Sequence, residues 1–106
     1  MCALVGGSAR ADVAPLAAQP PLAIPRNVGY FDYMVVDRNL RRLIAAHTES
    51  LSLAFVDADK DALLHQVYIG SAPHGLAIDE RDGFYFAGTS GAQHAVIIID
   101  RTTHPR

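Results

Sequence analysis

From residue 31 onward the chain is built of short apolar blocks, each of which ends at a cluster of polar or small residues. Blocks of this length predict antiparallel β-strands joined by tight turns. Asp82-Gly83 is a typical hairpin turn, because glycine accepts the positive φ that such turns require. The uniformly apolar run 95–99 is typical of a strand buried on both faces. We expect strands near residues 32–37, 42–47, 51–57, 63–69, 75–79, 84–88 and 94–100.

One stretch, residues 40–47, also has a helical pattern. Leu40, Leu43, Ile44 and His47 follow the i, i+3, i+4, i+7 spacing, and Asn39 is a suitable helix cap. Its counterpart further along the chain, residues 83–88, is aromatic and flanked by glycine, which favours a strand. We therefore predict a strand in both places.

The order of blocks repeats along the chain. An offset of 42 aligns residues 31–37 with 73–79, while offsets of 41 and 43 align 43–48 with 84–89 and 54–57 with 97–100. A period near forty residues is typical of a β-propeller blade, which is a four-stranded antiparallel sheet. We predict an all-β chain with about two blades, at residues 30–69 and 70–106. The second blade lacks its outer strand, so the propeller ring is incomplete.

The region before the repeats divides into two parts. Residues 1–11 end in Ser8-Ala9-Arg10-Ala11, an Ala-x-Ala sequence like a signal-peptidase site. We interpret them either as the remnant of a signal peptide, which implies a periplasmic or secreted protein, or as an ordinary disordered N-terminus. Residues 12–29 are a linker rich in proline and alanine. Within it, 21–27 lies one repeat period before the fourth strand, which predicts a ring-closing strand there.

These elements resemble the repeat of the YVTN-type β-propeller family, which includes the bacterial YncE-like and surface-layer-like propellers. In that repeat an apolar strand ends in Asp, a Tyr-Val-Thr-Asn-like strand follows, and a third strand ends in Ile-Asp. The matching segments are 34–37, 43–48 and 55–57 in the first unit and 76–79, 84–89 and 98–100 in the second. Neither unit spells the family tetrapeptide. The resemblance implies an N-terminal fragment of about two blades, related in architecture to WD40 repeats, with ligands or partners bound on the loop face.

Composition excludes several classes of function. The net charge is −2, and the nine basic residues are scattered, so the chain has no footprint for nucleic acid. No apolar stretch is long enough to span a membrane. The single cysteine, Cys2, excludes an internal disulfide and every multi-cysteine metal or redox motif. No two of the five histidines have the close spacing of a preformed metal site, so we predict no metal and no cofactor.

Two short motifs resemble known sites and fail on inspection. Asp57, Asp59 and Asp61 have the spacing that begins a calcium-binding EF-hand loop, but the required glycine and the final glutamate are absent. The segment 88–91, Gly-Thr-Ser-Gly, matches neither a phosphate-binding loop nor a serine nucleophile elbow. We interpret both as turns and predict no catalytic residue.

The candidate binding residues are Asp32 and His74, which occupy equivalent positions before the first strand of each unit. In propellers that position lies near the mouth of the central channel, so we expect the two side chains to bind a ligand there. The alternative is that they only bond to neighbouring backbone.

Three functional hypotheses follow. The first is a repeat scaffold that binds a protein or small-molecule ligand on its loop face, without a catalytic site of its own. The second is a fragment of a propeller enzyme, such as the lactonase-like hydrolases or oxidoreductases that the resemblance allows. The third is a truncated product without independent function. A homo-oligomer that completes the propeller is compatible with the first.

Overall fold

The computed structural model of the chain describes residues 15–25 and 29–101. Its regular structure consists of seven β-strands and one short 3₁₀ turn at Thr48–Ser50. The strands are β1 (Phe31–Asp37), β2 (Arg42–His47), β3 (Ser52–Asp57), β4 (Ala62–Tyr68), β5 (Ala72–Asp79), β6 (Phe84–Ser90) and β7 (Val96–Asp100).

The strands form two antiparallel sheets in chain order, β1-β2-β3-β4 and β5-β6-β7, so the described fold is all-β. All seven predicted strands are present. Strand β2 pairs with both of its neighbours, which confirms the strand interpretation of residues 42–47 over the helical one. Strand β5 starts three residues earlier than predicted, because Ala72 and Pro73 already pair with the end of β6. These sheets are open, and the described residues do not form a closed ring.

Strand pairing gives the exact repeat relation between the two sheets. Val36 pairs with Leu43 in the first sheet, and Ile78 pairs with Tyr85 in the second, so the offset is 42 in both strands of the pair. The expected offset of 41 over the second strand is therefore wrong by one residue. Residues 84–86 are aromatic on both faces of the strand, and such a sequence does not specify its register to a single residue. The offset of 43 holds for β3 and β7.

Three of the turns are alike, and each begins with an aspartate. The carboxylates of Asp37, Asp57 and Asp79 each accept the backbone N–H groups two and three residues later. A hydrogen bond from the turn backbone to the aspartate side chain stabilises the turn, which explains why aspartate recurs at strand ends. Each turn has four residues and ends in a residue with positive φ, namely Arg41, Asp61 or Gly83.

Both sheets carry a register irregularity near the start of their first strand. In β1 it includes Asp32 and Tyr33, and in β5 it includes His74 and Gly75. A β-bulge changes the direction of a side chain at the edge of a sheet. The two candidate binding residues thus lie at equivalent bulges.

The hydrophobic core lies between the two sheets. Strands β1 and β2 of the first sheet contact β5 of the second. Aliphatic and aromatic side chains from the facing sides meet there, and the rings of Phe55 and Tyr85 lie 5.6 Å apart. The buried core residues are Ile44, Ala46, Leu53, Phe55, Tyr85 and Ala87.

Residues 15–25 contain no helix or strand, and Leu16 and Leu22 are exposed. The predicted ring-closing strand at 21–27 therefore has no strand pairing over its described part, and residues 26 and 27 lie outside the described residues. The predicted signal-peptide remnant at 1–11 also lies outside them. Among the described residues there is no helix of the length and hydrophobicity needed to span a bilayer.

Candidate functional site

A chain of three polar side chains joins the two sheets at the end where β1 and β5 begin. His74 lies in the middle of it. Its Nδ1 atom is 3.0 Å from Oδ2 of Asp32, and its Nε2 atom is 2.7 Å from Oγ of Ser90. We call these three residues the Asp32–His74–Ser90 cluster. Asp32 belongs to the first sheet, whereas His74 and Ser90 belong to the second.

The positions of the cluster residues follow from the strands that carry them. The bulges in β1 and β5 place Asp32 and His74 side by side, and Ser90 ends the neighbouring strand β6. The backbone around His74 is also fixed from the first sheet, because the buried Thr48 hydroxyl donates to the carbonyl of Pro73 at 2.8 Å.

The loop after Ser90 is held in place by two hydroxyl groups. Ser71 is buried, and its Oγ atom lies 2.6 Å from the carbonyl oxygen of Ser90 and 3.0 Å from that of Gln93. The Gln93 N–H donates back to Ser71 Oγ at 3.0 Å, while the Thr89 hydroxyl donates to the Gln93 carbonyl at 2.9 Å. The loop that borders the cluster is thus anchored at several points to the second sheet.

The partners of His74 determine which atoms of the cluster donate and which accept hydrogen bonds. An Asp carboxylate only accepts, so the Nδ1–H of a neutral His74 donates to Asp32. Its Nε2 atom then accepts the proton of the Ser90 hydroxyl. The side chains of His74 and Asp32 are 40% and 33% exposed, so water and small solutes reach them. The cluster therefore offers a carboxylate, an imidazole and a hydroxyl to a ligand at the surface.

Asp32 and His74 are the two residues that the sequence singled out, and the structure brings them into direct contact. Ser90 was missed as a member of the site. It belongs to the segment 88–91 that we interpreted as a turn, whereas β6 extends to Ser90 and the turn begins at Gly91. The repeat would have indicated it only at the correct offset of 42, at which Ser90 is the equivalent of Thr48, one of the hydroxyl residues that fix this end of the molecule.

A second polar group, which is buried, joins the sheets at the opposite end. The carboxylate of Asp37 is fully buried and accepts the Tyr85 hydroxyl at 2.5 Å and the Arg101 guanidinium at 3.0 and 3.2 Å. The Arg101 side chain is 12% exposed. We call these three residues the Asp37–Tyr85–Arg101 anchor. The sequence indicates Asp37 only as a turn residue, because no local pattern reveals a contact with a side chain of the other repeat unit.

The anchor changes the acidity of its members. Burial tends to raise the pKa of the Asp37 carboxyl, but the hydrogen bonds from Tyr85, the Leu40 N–H and Arg101 outweigh it and hold that pKa below 3.8. Burial, together with the hydrogen bond to Asp37, raises the pKa of Tyr85 to about 12. The anchor is therefore an ionised, hydrogen-bonded group with a structural role, since it lies away from the exposed cluster.

Buried polar atoms on the first sheet form a third group. His47 is buried, its ring stacks on Phe31 at 4.2 Å, and its Nε2 atom lies 3.2 Å from Ser50 Oγ. Among the described residues, no partner is found for His47 Nδ1, Ser52 Oγ or Gln66 Oε1. Ser52 and Gln66 line a cavity of about 550 Å³ together with Ser50 and Tyr68.

No metal site is evident in the part of the chain that the structure describes, since no three His, Cys, Asp or Glu side chains there are grouped to hold an ion. Comparison of the chain with family models, curated proteins and solved structures gives no significant match. The resemblance to YVTN-type propellers therefore stays a prediction from the sequence.

Proposed function

We propose that this chain is a binding module, a repeat scaffold of about two blades from an exported YVTN-like β-propeller, which binds a small polar ligand at the Asp32–His74–Ser90 cluster. The observation that carries this proposal is the contact between Asp32 and His74. Two residues at equivalent bulges of two different sheets meet at an exposed surface, where neither is required to fill the core.

The chemistry of the cluster defines the kind of ligand. Asp32 accepts hydrogen bonds, and the Ser90 hydroxyl can donate or accept once the ligand displaces its bond to His74. Hydroxyl-rich small molecules such as sugars present both kinds of partner in close spacing. Since the cluster is partly exposed, we expect weak binding unless neighbouring repeat units enclose the ligand.

Nuclear magnetic resonance of the histidine rings tests this proposal. The full chain is titrated with a panel of monosaccharides and polyols while the imidazole signals are recorded. A ligand bound at the cluster shifts the His74 signals and leaves those of the buried His47 unchanged. The same titration of His74→Gln and of a control, His65→Gln on the exposed part of β4, locates the site. If no member of the panel shifts His74, or if His74→Gln binds as well as the unmodified chain, the proposal fails.

A second candidate function, acyl hydrolysis, is favoured by the order of the hydrogen bonds. A serine hydroxyl, a histidine and a carboxylate linked in this order form the arrangement that activates serine as a nucleophile. Ser90 Oγ would attack the ester carbonyl while its proton passes to His74 Nε2. The proton then goes to the departing alcohol, and water releases the acid from Ser90 by the same steps. No oxidant or metal is needed.

Hydrolysis of p-nitrophenyl acetate separates the two candidates. A hydrolase shows turnover that Ser90→Ala and His74→Gln abolish. Ser50→Ala is the matched control, because Ser50 also contacts a histidine, His47, for which the described residues provide no carboxylate partner. Equal rates for Ser90→Ala and the unmodified chain would exclude the hydrolase and leave the binding proposal untouched.

A further inference from the structure

Each sheet has an outer face, which points away from the other sheet and is apolar. Val35 packs in the core, so its neighbours Met34 and Val36 point to the other side, and both are 51% exposed. Val96 and Ile98 likewise alternate with core residues of β7 and are 62% exposed. The first outer face consists of Met34, Val36, Leu43, Ala45, Ala54 and Val56. Ala45 and Ala54 are only 4% and 1% exposed, so the accessible apolar surface of this face comes from the four larger side chains. The second outer face consists of Ala77, Phe84, Phe86, Val96 and Ile98.

The repeat relation shows what surface fits the second outer face. In the first sheet, the row Val35, Ile44 and Phe55 faces the second sheet across the core. Its repeat equivalents in the second sheet form the row Ala77, Phe86 and Ile98. That row is open, although its equivalent is covered by a sheet. The second outer face is thus equivalent to a surface that the molecule already buries.

The first outer face is related in the same way to the surface that covers that row. On the side of the second sheet, the core is formed by a row that packs against the first sheet, namely Leu76, Ala87 and Ile97. Their repeat equivalents are Met34, Ala45 and Ala54 on the first outer face. One chain therefore carries both halves of a second interface of the same kind, on opposite sides of the molecule.

The polar contact at the cluster fits this arrangement too. Inside one chain, Asp32 of the first sheet meets His74 at the equivalent position of the second. Where a second copy follows, His74 of one copy lies beside Asp32 of the next. The pairing of carboxylate and imidazole is therefore repeated across the interface, and no two like charges are brought together.

We propose that the second outer face of one copy docks on the first outer face of another copy of this chain, head to tail. The proposal rests on the repeat relation between the sheets and does not depend on ligand binding at the cluster. A head-to-tail interface between identical chains closes into a ring when the rotation allows. With two sheets per copy, three or four copies give a ring of about six or eight sheets, which lies within the range of about four to eight sheets in known propellers.

One feature of the core interface is not repeated between copies. The equivalent of Asp37 is Asp79, and the residues of the first repeat unit that correspond to Tyr85 and Arg101 are Leu43 and Ala58. The contact between copies has no buried ionic anchor. It therefore separates before the two sheets of one copy do.

Complementary single-face variants test the proposal. Ile98→Lys places a charge on the second outer face, and Met34→Lys places one on the first. Each blocks one face of the full chain and leaves the other intact, so each alone gives a monomer, with the dissociation constant raised by about 30-fold or more. Mixed together, the two variants form a one-to-one dimer with twice the 11.4 kDa mass of one chain. Sedimentation velocity measures all three samples.

Leu40→Lys is the matched control, because Leu40 lies in the first turn, outside both faces, and is 44% exposed. It should assemble like the unmodified chain. Circular dichroism verifies folding, and where a variant does not fold, Val96→Lys and Val36→Lys replace it. Three results would overturn the proposal: a monomeric unmodified chain, assembly that survives the single-face substitutions, or mixed variants that stay monomeric. Assembly that survives in one of the two variants alone and is lost in the other would show that the contact joins like faces.

Discussion

Three aspartates have the same local role in this molecule, yet only one of them connects the sheets. Asp37, Asp57 and Asp79 each accept the N–H groups of their own turn. Asp37 alone also accepts the side chains of Tyr85 and Arg101 from the other sheet, as far as the described residues show. The molecule therefore provides its own comparison between a turn residue and a buried ion pair.

We predict that Asp37→Asn destabilises the chain far more than Asp57→Asn does. An asparagine retains an acceptor for the turn, but at position 37 it leaves the Arg101 charge without its partner. Removal of one member of a buried ion pair costs about 3 kcal/mol. The exposed turn at Asp57 should lose less than about 1 kcal/mol. Urea unfolding, monitored by circular dichroism, measures both free energies. Equal losses would show that Asp37 acts only as a turn residue.

The anchor also predicts how stability depends on pH. The pKa of Asp37 is lowered from 3.8 in the folded chain. Its contribution to the free energy of unfolding is therefore complete above pH 3.8 and is lost as the pH falls through the folded pKa. The pKa of Tyr85 is raised from 10.0 to about 12, so its contribution is complete below pH 10 and is lost as the pH rises through about 12. Urea unfolding across the alkaline range should show stability falling in that window.

Tyr85→Phe is the control for the alkaline limb, because it removes the phenol and keeps the ring that packs on Phe55. The variant should be less stable at neutral pH by about 1 kcal/mol, the value of a lost hydrogen bond. Its stability should change less between pH 10 and 12 than that of the unmodified chain. A parallel decline in both proteins would assign the alkaline loss to another group.

At the residue scale, the sequence indicated which residues lie at the site better than it indicated which side chains they contact. Equivalent placement before the first strand of each unit identified Asp32 and His74. The anchor could not be found in that way, because its contact depends on which faces of the two sheets meet. A cross-sheet contact between Asp37 and Arg101 has no local pattern that periodicity can reveal.

At the scale of the strand and turn, equivalent turn positions both have a positive φ but hold different residues. The last residue of the first turn is Arg41, with a φ of 53°, and its repeat equivalent is Gly83, with a φ of 82°. A side chain in the left-handed region is strained, whereas glycine is not. The two turns thus have one geometry but different residues to supply it.

We therefore predict that Arg41→Gly stabilises the chain by up to about 1 kcal/mol, while Gly83→Ala destabilises it by at least as much. The substitution at 41 loses only an exposed ion pair with Asp59, which is worth little. The added Cβ at 83 would lie 3.1 Å from Nε of Arg101 and so would disturb the anchor as well. Thermal unfolding of both variants shows whether each change in stability is a gain or a loss. A loss of stability in Arg41→Gly would mean that the ion pair matters more than the strain.

The existence of the strands was predictable, and their register was predictable except in β6. Apolar blocks and turn residues located all seven strands, and the repeat counterpart of β2 decided against its helical pattern. The register of β6 was misplaced by one residue, because Phe84, Tyr85 and Phe86 are apolar on both faces and do not distinguish inside from outside. The early start of β5 was missed because proline and glycine at 73 and 75 are typical of loops, although pairing with β6 includes Pro73.

At the scale of the whole molecule, the three strands of the second sheet pair in the same way as β1, β2 and β3 of the first, and each sheet has exposed apolar side chains on its outer face. Repeat units bury their faces only against neighbours. The periodicity of the sequence indicated the two units, and strand pairing now relates them residue by residue. The two complementary outer faces could not be predicted from the sequence, because their residues are known only once the register of every strand is known.

The most direct test of this account is the native mass of the full chain, measured by light scattering after gel filtration with circular dichroism on the same peak. We expect a discrete species of about three or four copies with a β-sheet spectrum. A folded monomer that keeps its β-sheet spectrum at every concentration would contradict it, since the outer faces would then need no partner.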